Sequence, residues 1–222
     1  MIPVTQQAHE LIAALAHGSL AIDATAGNGN DTEFLARFVG PRGVVWAFDI
    51  QPPALIRTAN RLEERHISVE LHLHHEGDNA STKGAIRQGD RGSRVICIEA
   101  NHAEMADHLP AQYHGRVAVV MFNLGYLPGA DKSCITRTVS TLAALDAALL
   151  FLAPGGLLTV VVYSGHPGGQ EEAQAVREWF TRRASEGSGR LIAPTSSAPT
   201  NPETYTGPQL LAWQRARGED GA

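Results

Sequence analysis

Residues Asp23 to Thr32 read Asp-Ala-Thr-Ala-Gly-Asn-Gly-Asn-Asp-Thr and stand between a short apolar run, Leu20 to Ala24, and a helical pattern through Phe34, Leu35, Phe38 and Val39. A glycine-rich turn in that position lets the backbone close on a ligand where a strand meets a helix, which leaves few folds open to the chain. Gly40-Pro41-Arg42-Gly43 stops the helix, and Val44 to Phe48 is a second buried strand ending at Asp49, 20 residues beyond Gly29. Strand, loop, helix and strand form a βαβ unit with a right-handed crossover. An acid at the end of the second strand is placed to accept hydrogen bonds from ribose hydroxyls.

Beyond this unit the apolar runs Val95 to Ile98, Val117 to Phe122 and Leu157 to Val162 have strand length, and a helical pattern through Ile135, Val139, Leu142 and Leu149 separates the last two. Strands alternating with helices imply a parallel sheet covered on both faces. An amphipathic helix on Val4, Ala8, Leu11, Ile12 and Leu15 comes first, Pro52-Pro53 opens a helix with Leu55, Ala59 and Leu62 inward, and Val176, Trp179 and Phe180 mark another. Pro154-Gly155-Gly156 is expected to turn into the fifth strand, and Leu191-Ile192 with Leu210 to Trp213 to close the sheet as a hairpin. The expectation is an α/β, Rossmann-like fold: a mostly parallel seven-stranded sheet with helices on both faces and a C-terminal antiparallel hairpin. It fills a single domain over residues 1–214, with a frayed tail at 215–222. Between Leu71 and Arg94 the apolar periodicity lapses, and the segment reads as a surface insert carrying Lys83, Arg87, Arg91 and Arg94.

At 222 residues, 43% hydrophobic and 18% charged, the chain is able to fill one core. Its start has neither a signal-peptide pattern nor an apolar span of about 18 residues, so a cytoplasmic protein with no membrane association is expected. A formal net charge of −5 argues against gripping nucleic acid by bulk electrostatics, so RNA contact requires a local basic patch, for which Lys132, Arg137 and the insert's cations are candidates. Cys97 and Cys134 lack metal-ligand spacing, and His72, His74 and His75 have no carboxylate or cysteine at a closed-site spacing, so no metal site is expected.

The loop admits two cofactor classes. In Gly-x-Gly-x-x-Gly the last glycine lets the helix pack close to a pyrophosphate; here Thr32 occupies that position, preceded by Asp31. A carboxylate at a helix start is poor company for a pyrophosphate and suits a sulfonium cofactor whose amino-acid end carries an ammonium. The pattern favours S-adenosylmethionine. Candidate cofactor contacts are Asp23, Thr25, Gly27, Asn28, Gly29, Asn30, Asp31 and Thr32 in the loop, Asp49, Ile50 and Gln51 after the second strand, Asn101 and His102 after the third, and Asn123 at the end of the fourth. An NAD-dependent oxidoreductase is the competing class, and a cofactor-binding module without turnover a third.

The fourth strand runs into Met121-Phe122-Asn123-Leu124-Gly125-Tyr126-Leu127-Pro128-Gly129-Ala130-Asp131-Lys132, too polar and turn-rich for a plain helix entry. It resembles the Asn-Pro-Pro-Tyr loop of amine methyltransferases, where an amide oxygen and nearby carbonyls accept hydrogen bonds from the amine while an aromatic ring stacks on the base. Together with Thr25 to Thr32, Phe48-Asp49-Ile50-Gln51 and Tyr163-Ser164-Gly165-His166-Pro167-Gly168-Gly169, this loop closely resembles the small bacterial rRNA methylase family, which includes the MnmM-type tRNA methyltransferases. The resemblance runs from about His9 to Trp213 apart from the insert. It implies a class I methyltransferase fold, S-adenosylmethionine, and methylation of the 5-aminomethyl group on the wobble uridine of tRNA. Asn123, Tyr126, Asp131 and His166 are then candidate catalytic residues, and Leu124, Gly125, Tyr126, Lys132 and Arg137 candidate substrate contacts. Ribosomal RNA or a small molecule is the alternative acceptor, and a homodimer is compatible with the resemblance. The chain departs from the family pattern at Asn30, where a histidine is usual, at Ala130 in place of glycine, at Ser164 in place of histidine, at Gly207-Pro208 in place of Pro-Pro, and in the insert.

Methyl transfer from a sulfonium is an in-line displacement, so alignment and exclusion of water are the main tasks. An alkylamine is mostly protonated at neutral pH and must lose a proton before it attacks. Asn123 is placed to orient the lone pair, and Asp31, Asp131 or His166 to take the proton.

Overall fold

Leu20–Asp23 (β1) lies inside the sheet, paired in parallel with Val44–Asp49 (β2) on one side and Val117–Asn123 (β6) on the other. The computed structural model describes residues 2–74, 82–83, 93–125, 136–165, 167–192 and 207–217. Outward from β2 come Arg94–Glu99 (β5) and Ser68–Leu73 (β3), and outward from β6 comes Leu152–Tyr163 (β7), all parallel. Thr82–Lys83 (β4) pairs antiparallel with β3 at one edge, while Gly189–Ile192 (β8) and Pro208–Arg215 (β9) form the antiparallel pair at the other. Among the described residues the sheet has nine strands in the order β4-β3-β5-β2-β1-β6-β7-β9-β8. The chain leaves β1 toward β2 and comes back on the other side at β6. Loops at the carboxyl ends of β1 and β6 therefore part in opposite directions and open a crevice.

Val4–Leu15 (α1), Asn30–Val39 (α2) and Pro52–Glu64 (α3) pack on one face, and Met105–His108 (α4), Thr138–Phe151 (α5) and Gly169–Ser185 (α6) on the other. The strands are apolar on both faces because both are covered: six consecutive residues of β6, Val117 to Phe122, are buried. Helix α2 contributes Leu35, Ala36 and Val39 to the core, and each fully buried large apolar side chain stabilises the fold by roughly 1.5–3 kcal/mol. Its N-cap, Gly29, has φ +78°, and a Cβ there would lie 3.0 Å from both Cα and Oγ1 of Thr58 on α3, so glycine is required on both counts. Among the described residues no helix is long and apolar enough to cross a membrane.

Three expectations need correction. The sheet exceeds seven strands, because β3, whose second half falls in the segment read as a surface insert, and β4, which lies within it, are added. Leu71 to Leu73 are strand residues, and Arg94 opens β5. Glu70 in β3 is buried despite its charge because His72 Nε2 at 2.8 Å and the Arg94 guanidinium both bond to it. Pro154-Gly155-Gly156 does not precede the fifth parallel strand of the reading but sits within β7, where the register against β6 shifts between Val117 and Val119. In the helical pattern between the last two strands Val139 is 83% exposed, and Ile135 lies outside the described residues. The closing hairpin forms with Leu191 opposite Trp213 and Ile192 opposite Ala212.

Candidate active site

The crevice is a cavity of about 1020 Å³ over the carboxyl ends of β1, β2, β5 and β6. That is at the upper end of ligand-site volumes, enough for a nucleoside cofactor with an acceptor beside it. Its floor is the Gly27 to Asp31 turn. Asp49 holds this turn from the neighbouring strand: Oδ2 accepts from the Gly27 N–H at 2.9 Å and Oδ1 from the Gln51 N–H at 2.9 Å. Burial raises the Asp49 pKa above its ordinary value, against these two N–H groups. Helix α3 adds a second hold, with Thr58 Oγ1 donating to the Gly27 carbonyl, Arg57 Nε to Asn28 Oδ1 at 3.0 Å and Arg61 Nε to the Asn28 carbonyl at 3.1 Å. Asn30 takes the Arg61 guanidinium on its side-chain oxygen.

Asp23 and Thr32 support the turn from behind and do not line the cavity. Both are fully buried, with the Thr32 hydroxyl donating to Asp23 Oδ2 at 2.6 Å and the Thr25 N–H to Oδ1 at 3.1 Å. Burial, and then the nearby Asp31 charge, push the Asp23 carboxyl up to about 7. Gly29 likewise shapes the helix start without lining the cavity.

Asp31, only 6% exposed, faces the cavity and joins three elements. Its Oδ1 lies 2.7 Å from His9 Nε2 on α1, and its Oδ2 accepts from Asn123 Nδ2 at 3.2 Å at the end of β6. A carboxylate has no proton to donate, so this contact fixes the Asn123 amide with its nitrogen toward Asp31 and leaves its oxygen as an acceptor. The Asn123 backbone N–H donates to Thr25 Oγ1 at 2.7 Å, which sets the strand end against the turn. At the other wall, His102 is buried with Nδ1 3.2 Å from the Ala24 carbonyl, and its Nε2 has no partner among the described residues. Burial holds its pKa below the usual histidine value, which favours a neutral ring.

Gly125 and Thr136 bound the segment 126–135. The Gly125 N–H donates to Thr136 Oγ1 at 3.1 Å, the Thr136 N–H returns to the Gly125 carbonyl, and the Thr136 hydroxyl donates to Glu172 on α6 at 2.7 Å. The second Glu172 oxygen takes the buried Thr141 hydroxyl, also at 2.7 Å. Glu172 is 3% exposed, so Glu172→Ala is expected to leave two hydroxyls short of a partner and destabilise the fold by about 2–4 kcal/mol, with Glu172→Gln costing less. Chemical denaturation of both variants measures this; equal, negligible shifts would show that the network carries little energy.

Of the expected site residues, Thr25, Gly27, Asn28, Asn30, Asp31, Asp49, Ile50, Gln51, Asn101, His102, Asn123, Leu124, Gly125 and Arg137 line the cavity. Tyr126, Asp131, Lys132 and His166 lie outside the described residues, as do His75, Arg87, Arg91 and Cys134 and the side chain of Lys83. Arg94, expected in a basic patch, is tied to Glu70 instead. Reading the sequence missed Thr5, His9, Thr136, Ser140 and Tyr163, all in the cavity wall. The one signal for His9 was a polar residue beside Ala8 and Ile12, which form the buried stripe of α1.

Comparison with known proteins agrees with this geometry. The family model described as "Putative rRNA methylase" matches residues 78–188. A tRNA (mnm(5)s(2)U34)-methyltransferase, chloroplastic, from Arabidopsis thaliana is 40% identical over 164 residues, 72% of this chain and 52% of that protein, so the chain spans about half the length of this curated relative. The crystal structure of a "putative rRNA-methylase" from Clostridium thermocellum is 31% identical with a TM-score of 0.73, covering 97% of this chain and 98% of that one. A Streptococcus mutans "putative methyltransferase" in complex with SAH is 28% identical with a TM-score of 0.70, covering 97% and 99%. With one family model spanning half of its residues and a 31% identical structure superposing along nearly all of them, the chain belongs to the rRNA methylase family of Rossmann-like methyltransferases.

Proposed function

We propose that the protein transfers a methyl group from S-adenosylmethionine to the amine of a 5-aminomethyl group on the wobble uridine of tRNA. The observation that carries this reading is Asn123: it lines the crevice, and its amide nitrogen donates to Asp31, which leaves the amide oxygen available to accept from an amine. The acceptor itself is suggested by the Arabidopsis relative, whose name specifies a modified uridine at position 34 of tRNA.

The residues present fit the cofactor. Asp49 would take the ribose hydroxyls, since each of its oxygens has a lone pair beyond the backbone N–H it already accepts from. Ile50, half exposed at the cavity wall, offers an apolar cover for a base, and the unpartnered Nε2 of buried His102 offers a polar contact in the same wall. When bound, the cofactor supplies an electrophilic methyl on a sulfonium. The chain's own work is to align and to exclude water: Asn123 accepts from the amine, Thr25 sets the height of the strand end, and Tyr163 and Leu124 close the wall. Arg137, exposed at the start of α5 and lining the cavity, is a candidate phosphate contact, with Lys132 in the adjoining segment.

Calorimetry separates this reading from an oxidoreductase. S-adenosylhomocysteine is expected to bind and NAD not; the reverse pattern would move the protein to the dinucleotide class. Asp49→Ala is expected to weaken S-adenosylhomocysteine by about 1–3 kcal/mol, through lost ribose pairing and a loosened Gly27 turn. Unchanged affinity would show that Asp49 serves the turn alone and contributes nothing to the ligand.

A further inference from the structure

We infer that His9 on α1 is the group that takes the proton from the acceptor ammonium, with Asp31 as its orienting carboxylate; this rests on the amine-methylating reading above. His9 lines the cavity, and its ring lies flat on Phe34 of α2, with centroids 3.9 Å apart and planes 3° from parallel. Two contacts fix the imidazole: the ring face on Phe34, and Nε2 on Asp31 Oδ1 at 2.7 Å. Because the carboxylate can only accept, Nε2 carries the hydrogen and Nδ1 is left with its lone pair. A buried carboxylate holding one imidazole nitrogen sets the tautomer and stabilises the imidazolium that forms when the other nitrogen accepts a proton.

The same Asp31 holds Asn123 through its second oxygen, so one carboxylate ties together the residue that accepts a hydrogen bond from the amine and the residue that removes its proton. Asp23 sits behind Asp31 at the end of β1, and Tyr163 ends β7 at the cavity wall; Asp31's charge acts on both. In the step, the ammonium gives one proton to Nδ1 of His9. The freed lone pair forms the N–CH3 bond as the C–S bond breaks, and that electron pair stays on sulfur. The product leaves as a secondary ammonium, and His9, with 23% of its side chain exposed, returns its proton to water.

The test is the pH dependence of single-turnover methylation of tRNA carrying 5-aminomethyluridine, for the unaltered protein, His9→Gln and His9→Ala. The variants are expected to be slower by about 100-fold at pH 7 and to close on the unaltered protein as pH rises and the amine deprotonates in solution. Imidazole in the buffer is expected to rescue His9→Ala in part. Nitrogen-15 NMR of the histidine rings in the protein alone is expected to show Nε2 protonated in His9 at neutral pH, and to lose that preference in Asp31→Asn. A deficit that stays constant across pH, or a His9 ring protonated on Nδ1 alone, overturns the inference while leaving the amine-methylating reading standing. Absence of transfer by the unaltered protein overturns both.

Discussion

Asn123→Ala is expected to fold, to bind S-adenosylhomocysteine with a far smaller change in affinity, and to lose about 30- to 1,000-fold in the rate of methyl transfer, roughly 2–4 kcal/mol. The amide oxygen orients the amine only as the new bond forms, so its loss falls on the chemical step. Two features protect the rest of the site. The bond from Asn123 to Thr25 Oγ1 uses the backbone N–H, which alanine retains, and Asp31 keeps His9 as a partner. A purely structural Asn123 predicts the opposite pattern, in which the variant melts earlier and the folded fraction turns over normally. Single-turnover rates beside a thermal melt separate the two.

Asp31→Ala is expected to cost at least as much, on the order of 10² to 10⁴ in rate, because it frees His9 and Asn123 together. Its effect and that of Asn123→Ala are not expected to add: residues that share a hydrogen-bonded partner couple by about 0.5–3 kcal/mol, so the double variant is expected to be little slower than Asp31→Ala alone. Strict additivity would mean that the bond between Asp31 and Asn123 does not matter to the reaction. The same substitution removes the charge that helps raise the Asp23 pKa. Carboxyl infrared titration is therefore expected to find the Asp23 midpoint near 7 in the unaltered protein and lower in the variant.

The local parts of this site were legible in the sequence because local chemistry dictates them. Gly29 must adopt a positive φ between an apolar strand and a helix, and Asp49 must end the second strand for its carboxylate to reach Gly27. The C-terminal hairpin announced itself through two short apolar runs, and the strand ending at Asn123 through six consecutive buried residues. What was lost depended on contacts far apart in the chain. Ser68 to Leu73 alternates polar with apolar residues, the period of a strand, but the pattern lapses after Leu73, and the burial of Glu70 rests on His72 together with Arg94, 24 residues on. His9 belongs to a helix whose pattern explains Ala8 and Ile12 completely, and nothing in that pattern shows that its neighbour meets Asp31, 22 residues later. Arg57 and Arg61 stand off the Leu55, Ala59 and Leu62 stripe of their helix, and they hold the turn at Asn28.

The most direct measurement is mass spectrometry of nucleosides from tRNA carrying 5-aminomethyluridine at the wobble position, after incubation with the purified protein and S-adenosylmethionine bearing a labelled methyl group. The account predicts that the label appears on the 5-aminomethyl nitrogen, converting that nucleoside to its methylaminomethyl form, with one S-adenosylhomocysteine released per methyl. An unmodified wobble nucleoside, or label found on a different base or only on ribosomal RNA, would contradict it.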